Sequence, residues 1–185
     1  MKVLRSAAVL AVTLACLSQF AFSEPAAIDK TLPGKGDASK SYQIKNKKHG
    51  DLLRPKDADG SDGVPLVLYP ATLWKCLTWK LSPVGGTEFT VQNHFTGKTF
   101  ALSAKEQSGA VVQVALPKDT AKAVPWRFVK LADGSYRIAD PKSGKVLTAV
   151  KSEKGDDVRI SLLPWAETDQ QKWELKEIDP AKLTM

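Results

Sequence analysis

The chain has 185 residues, with 27 Lys and Arg against 20 Asp and Glu and a formal net charge of +7. Hydrophobic residues make up 43% and charged residues 25%, an ordinary globular composition that excludes wholesale disorder, collagen and coiled coil. Two Cys exclude a disulfide-dense scaffold, and two His argue against a zinc centre or His-based catalysis.

Residues 1–23 read as a secretory signal. Lys2 and Arg5 precede an apolar run from Ser6 to Leu17, and Ala21-Phe22-Ser23 offers small residues where a signal peptidase reads. The run is too short to cross a bilayer comfortably, so no membrane span is expected. Thr13-Leu14-Ala15-Cys16 fits a lipidation signal poorly. Residues 24–41, rich in Gly, Lys, Pro and Ala, read as a flexible leader. Without the signal the chain stays mildly basic and has no block of five or more like charges, a balance that does not require nucleic acid. Cys76 is then the sole cysteine, and a buried small apolar role is favoured over an intermolecular disulfide.

Beyond the leader the sequence repeats itself. Trp79, Trp126 and Trp173 stand 47 residues apart. The same ungapped period relates Tyr42, Phe89 and Tyr136; Ile44, Val91 and Ile138; Gly50, Gly97 and Gly144; Leu53, Phe100 and Leu147; Val64, Val111 and Val158; and Pro70, Pro117 and Pro164. The units are 42–88, 89–135 and 136–182.

Each unit predicts four short strands. The first alternates apolar and polar residues, as in Tyr42-Gln43-Ile44. A turn ending in Gly50, Gly97 or Gly144 follows, where glycine can take positive φ. The second strand carries Leu53, Phe100 or Leu147, and a polar loop such as Asp59-Gly60-Ser61-Asp62-Gly63 leads to the third. That strand runs into the repeated proline, which cannot donate to a ladder and closes it. The fourth holds the repeated tryptophan. One unit cannot bury its apolar face alone, and three copies are few for an open stack. A closed threefold all-β barrel with hairpin caps is therefore expected, since closure also removes strand edges.

The pattern resembles the ricin-B-type β-trefoil family. The features are the three repeats, the aromatic-x-Ile opening, the Gly turn before an apolar pair and the closing Trp, with Gln171-Lys172-Trp173 keeping the family's Gln-x-Trp. The resemblance covers residues 42–182 and implies an all-β β-trefoil that binds glycans or glycoproteins. Sugar-binding members place an Asp after the second strand's apolar residue and stack a third-strand aromatic ring on the sugar. Here the Asp positions hold Arg54, Ala101 and Thr148, and the stacking positions hold Tyr69, Leu116 and Leu163. On this alignment the ligand-binding candidates are Tyr69, Trp74 and Asp57 in repeat one, and Thr148, Trp165, Gln170 and Gln171 in repeat three. Trp74 and Trp165 break the repeat and lie in polar loops, which suits a ligand contact as well as packing over the barrel end. Repeat two has lost every polar element and reads as structural.

The expected function is a secreted, non-enzymatic glycan-binding protein with degenerate or non-standard sites. The alternative is a secreted β-trefoil protease inhibitor that presents an exposed basic loop residue such as Arg54 or Lys118 to a protease. Carboxylates sit mostly in polar loops, and no phosphate loop, nucleophile elbow or metal-ligand spacing is present. No catalytic residue, metal or cofactor is expected.

Overall fold

The computed structural model describes residues 32–34, 36–105, 109–119, 122–152, 155 and 157–184. The expected secretory signal, the expected leader up to residue 31, and residues 107 and 108 of the second polar loop lie outside the described residues. Twelve strands among those described fall into three sets of four. The first set is β1 (Lys40–Asn46), β2 (Leu52–Pro55), β3 (Leu66–Tyr69) and β4 (Thr78–Gly85). The second is β5 (Glu88–Asn93), β6 (Thr99–Leu102), β7 (Val111–Val114) and β8 (Trp126–Lys130). The third is β9 (Tyr136–Ala139), β10 (Val146–Lys151), β11 (Val158–Leu163) and β12 (Trp173–Glu177).

First and fourth strands pair antiparallel around a closed ring, β1–β12–β9–β8–β5–β4 and back to β1. Second and third strands form one hairpin per set, β2–β3, β6–β7 and β10–β11. The hairpins meet one another through the bridges Pro65–Val112 and Ala110–Ser161 and the pair Arg159–Val67. Gly109 makes one of these approaches possible. Its φ is +75°, and a Cβ there would lie 2.9 Å from the Leu162 carbonyl oxygen.

The repeated apolar columns form one core in which Tyr42, Ile44, Phe89, Val91, Tyr136 and Ile138 are all buried. The three tryptophans are buried in it and make the same bond three times. Each indole N–H donates to the carbonyl 26 residues earlier: Trp79 to Leu53 at 2.9 Å, Trp126 to Phe100 at 3.2 Å, and Trp173 to Leu147 at 3.1 Å. Each fourth strand is thereby pinned to its own hairpin. A buried indole finds an acceptor because leaving its N–H unpaired would cost about 1–3 kcal/mol.

A further column shares the period. Asn46, Asn93 and Asp140 each begin a turn whose glycine N–H (Gly50, Gly97, Gly144) returns to their carbonyl. Their side-chain oxygens accept from backbone N–H groups two and three residues on. The two asparagines also reach across to the preceding repeat in the ring. Asn93 Nδ2 donates to the Cys76 carbonyl at 2.9 Å, and Asn46 Nδ2 to the Gln170 carbonyl at 3.0 Å.

The chain ends differ from expectation. The described part of the leader packs instead of trailing free: Leu32 is buried in the core cluster, close to Phe89 and Phe128, because an apolar residue beside an incompletely covered core is driven into it. β1 starts at Lys40, and Ser41 pairs with Lys80. After β12, Ile178 is buried with its N–H on the Ser41 carbonyl, and Thr184 bridges Trp74 in parallel. Cys76 is free and buried against Leu52 and Leu77, matching the apolar role expected of it.

His94 sits at the β1–β4–β5 junction. Its Nε2 lies 2.8 Å from Ser41 Oγ, and its N–H donates to the Thr78 carbonyl. Burial, with Lys80 and Lys75 nearby, lowers its pKa below the ordinary imidazole value. A base with a depressed folded-state pKa binds fewer protons folded than unfolded, so its contribution is present above the unfolded value and is lost as pH falls. The urea midpoint should fall between pH 7 and 5. His94→Gln should flatten that segment of the profile, and an unchanged slope would refute the assignment.

Candidate functional site

The three repeats place equivalent residues around three equivalent patches between the hairpin and the loop that leads to the fourth strand. Their contents differ.

In repeat three the patch is an open groove of about 560 Å³. Thr148, Val150 and Lys151 of β10 form one side, Leu163 and Pro164 the floor, and Thr168, Gln170 and Gln171 the other side. Gln171 is buried, and its amide is fully engaged. Nε2 donates to the Pro164 carbonyl at 2.8 Å and to Thr148 Oγ1 at 3.1 Å, while Oε1 accepts from Ala166 N–H at 2.7 Å. Thr148 Oγ1 in turn donates to the Val146 carbonyl. These two side chains shape the groove wall, and their polar groups already have partners. The groups that face solvent there are Thr168 and Lys151, with Gln170 half-buried. The sequence signal for Thr168 and Lys151 is their position two repeats after Trp74 and Asp57, from which they differ in size and in sign of charge respectively.

In repeat one the same positions are filled. Arg54, Tyr69 and Trp74 replace Thr148, Leu163 and Thr168, and they pack on each other. The Arg54 guanidinium lies 3.6 Å from the Tyr69 ring centroid, and the Tyr69 and Trp74 rings stack at 5.7 Å. Tyr69 and Trp74, with Ala58, cover a small cluster of Leu52, Cys76 and Leu77. Arg54 is therefore no exposed loop residue. It lies in β2, only 9% exposed, because stacking on Tyr69 buries its planar head. Lys118, by contrast, is exposed. Asp57 is exposed in the turn after β2 with φ of +55°.

Trp165 is half-buried and sits 5.4 Å from the Arg137 guanidinium, on β9, and does not line the groove beside it. Of the seven candidates the structure thus gathers Tyr69 with Trp74, and Thr148 with Gln170 and Gln171. Asp57 and Trp165 stand apart from both groups.

No protein-family model and no curated protein matches the sequence. Solved structures do. A designed threefold-symmetric protein, ThreeFoil, superposes with a TM-score of 0.65 at 24% identity, over 75% of this chain and 99% of that one. The Rhizoctonia solani agglutinin gives 0.64 at 24% identity, over 76% and 96%. The Macrolepiota procera ricin B-like lectin, solved with lactose, gives 0.60 at 18% identity, over 74% and 94%. With twelve strands in three sets of four, six of them closing a ring, and these likenesses, the chain has the β-trefoil fold.

Proposed function

We propose that the protein is a secreted, non-catalytic carbohydrate-binding protein whose site is the groove of repeat three. The observation that carries this reading is that repeat three keeps an open patch edged by hydroxyl, amide and ammonium groups where repeat one is plugged by Arg54, Tyr69 and Trp74. An apolar floor of Leu163 and Pro164 under a rim of hydroxyl, amide and ammonium groups suits the mixed faces of a sugar ring. The Macrolepiota lectin of the same fold was solved with lactose. Among the described residues the lining offers neither a carboxylate nor an aromatic ring, so weak affinity is expected.

A glycan array probed with the signal-free chain tests the reading, followed by calorimetry on any sugar retained. Thr168→Trp copies the plug of repeat one at an exposed position. It should weaken binding at least about tenfold, equivalent to 1.4 kcal/mol, with an unchanged thermal midpoint. Silence across neutral and acidic glycans, or full binding by Thr168→Trp, would refute the site.

A further inference from the structure

The seam between repeats two and three holds a second cavity, of about 380 Å³, distinct from the sugar groove. Phe100, Leu102, Val124, Trp126 and Leu162 line it, and Asp140, Lys142 and Ser143 form its mouth. Two of its apolar walls face solvent, with Leu102 50% and Val124 41% exposed.

The cavity has a cause in the repeat pattern. At the other two seams an asparagine amide ties the loop of the preceding repeat, through the Cys76 or Gln170 carbonyl. The equivalent pair at this seam is Asp140 and Ala123. A carboxylate cannot donate, so the tie to the Ala123 carbonyl cannot form. Asp140 keeps the bonds to its own turn that the two asparagines also make. Its Oδ2 accepts from Ser143 Oγ at 2.6 Å and Ser143 N–H at 3.1 Å, while Oδ1 accepts only a long 3.3 Å contact from Lys142 N–H. Oδ1 therefore retains acceptor capacity at the mouth of an apolar pocket. The opposite wall is fixed: Leu162 N–H donates to the Gly109 carbonyl at 2.7 Å, and no side chain fits at Gly109.

We infer that this seam cavity binds a small apolar molecule carrying a single ammonium head, an aryl- or alkyl-ammonium ion. The body fills the space between Leu102, Val124 and Leu162, and the head donates to Asp140 Oδ1. Charge-assisted bonds of this type are about twice as strong as neutral ones, which selects an amine over a neutral hydrocarbon of the same shape.

The test is a titration of the 15N-labelled protein with benzylammonium chloride, with toluene as the neutral comparison. Amide shifts at Leu102, Val124 and Ser143, and affinity at least about tenfold above toluene, support the assignment. Asp140→Asn should lose that preference and raise the thermal midpoint, because it restores the third amide tie. Val124→Phe, at a half-open position that tolerates bulk, should fill the cavity and remove the shifts. Saturating lactose should leave the benzylammonium isotherm unmoved, which separates this site from the groove of repeat three. Equal binding of toluene and benzylammonium, undiminished binding by Asp140→Asn, or shifts confined to other residues would overturn the inference.

Discussion

Trp79→Ala should lower the unfolding free energy by about 3–5 kcal/mol, the range for truncating a large buried aromatic residue. Trp79 is fully buried, packs edge-on against Phe100 with centroids 5.2 Å apart, and ties β4 to the β2–β3 hairpin through the Leu53 carbonyl. Three losses combine: transfer of the indole, the cavity left behind and an orphaned carbonyl. Trp79→Phe separates them. It keeps most of the apolar volume and gives up the hydrogen bond, so about 1–3 kcal/mol is expected. Urea denaturation followed by circular dichroism measures both. A loss below about 1 kcal/mol for the alanine variant would mean that the indole does not hold the core together. The repeat also makes a comparison available: Trp173→Ala, at the equivalent position with the equivalent bond, should match it closely.

The second large effect belongs to Asn93. Its side chain is buried, caps the turn to Gly97 through Oδ1 and donates to the Cys76 carbonyl of the preceding repeat. Asn93→Ala strips all three bonds and leaves a carbonyl in the interior without its donor, at an expected cost of about 2–4 kcal/mol. Asn93→Asp dissects this. The turn bonds survive, since a carboxylate accepts them as Asp140 does, but the cross-repeat donor is gone and an anion faces a carbonyl oxygen. The aspartate variant should therefore lie close to the alanine variant in chemical denaturation. If it matches the parent protein, the tie to Cys76 contributes nothing.

The repeat made most of the architecture legible. A 47-residue spacing of tryptophans, aromatics and glycines is visible in one dimension because each copy must supply the same shapes to a shared interior. The column of Asn46, Asn93 and Asp140 lay at the same spacing and escaped notice, because an Asx residue reads as ordinary turn chemistry until its partner is known. That partner lies in another repeat, 17 residues back for Asn93 and 124 ahead for Asn46. The departure at Asp140 gains its meaning only from the pairing. The candidate site was less legible for a related reason. Tyr69 and Trp74 read as aromatics free to stack on a ligand, yet Arg54 and the two rings cover one another. Whether a loop aromatic is open depends on what the neighbouring strand presents to it, and a local window of sequence does not contain that. Gln171 likewise carries a motif glutamine, and its amide is used up by the chain around it. Leu32 was hidden by its surroundings, since a single apolar residue among Gly, Lys and Pro carries no periodicity.

The closed ring has a consequence for how the molecule is made. β1 finds one neighbour early, in β4, but its other neighbour is β12, the last strand, so the register Ile44–Leu175 spans almost the whole polypeptide. Contacts of such large sequence separation slow a two-state transition, because the entropy of joining distant segments is lost before they reward it. Until the final strand arrives, β1 and β9 each present an unpaired flank to other nascent molecules. Synthesis from the N-terminus thus leaves the cylinder unsealed to the end, and the interval before closure is when self-association competes with maturation.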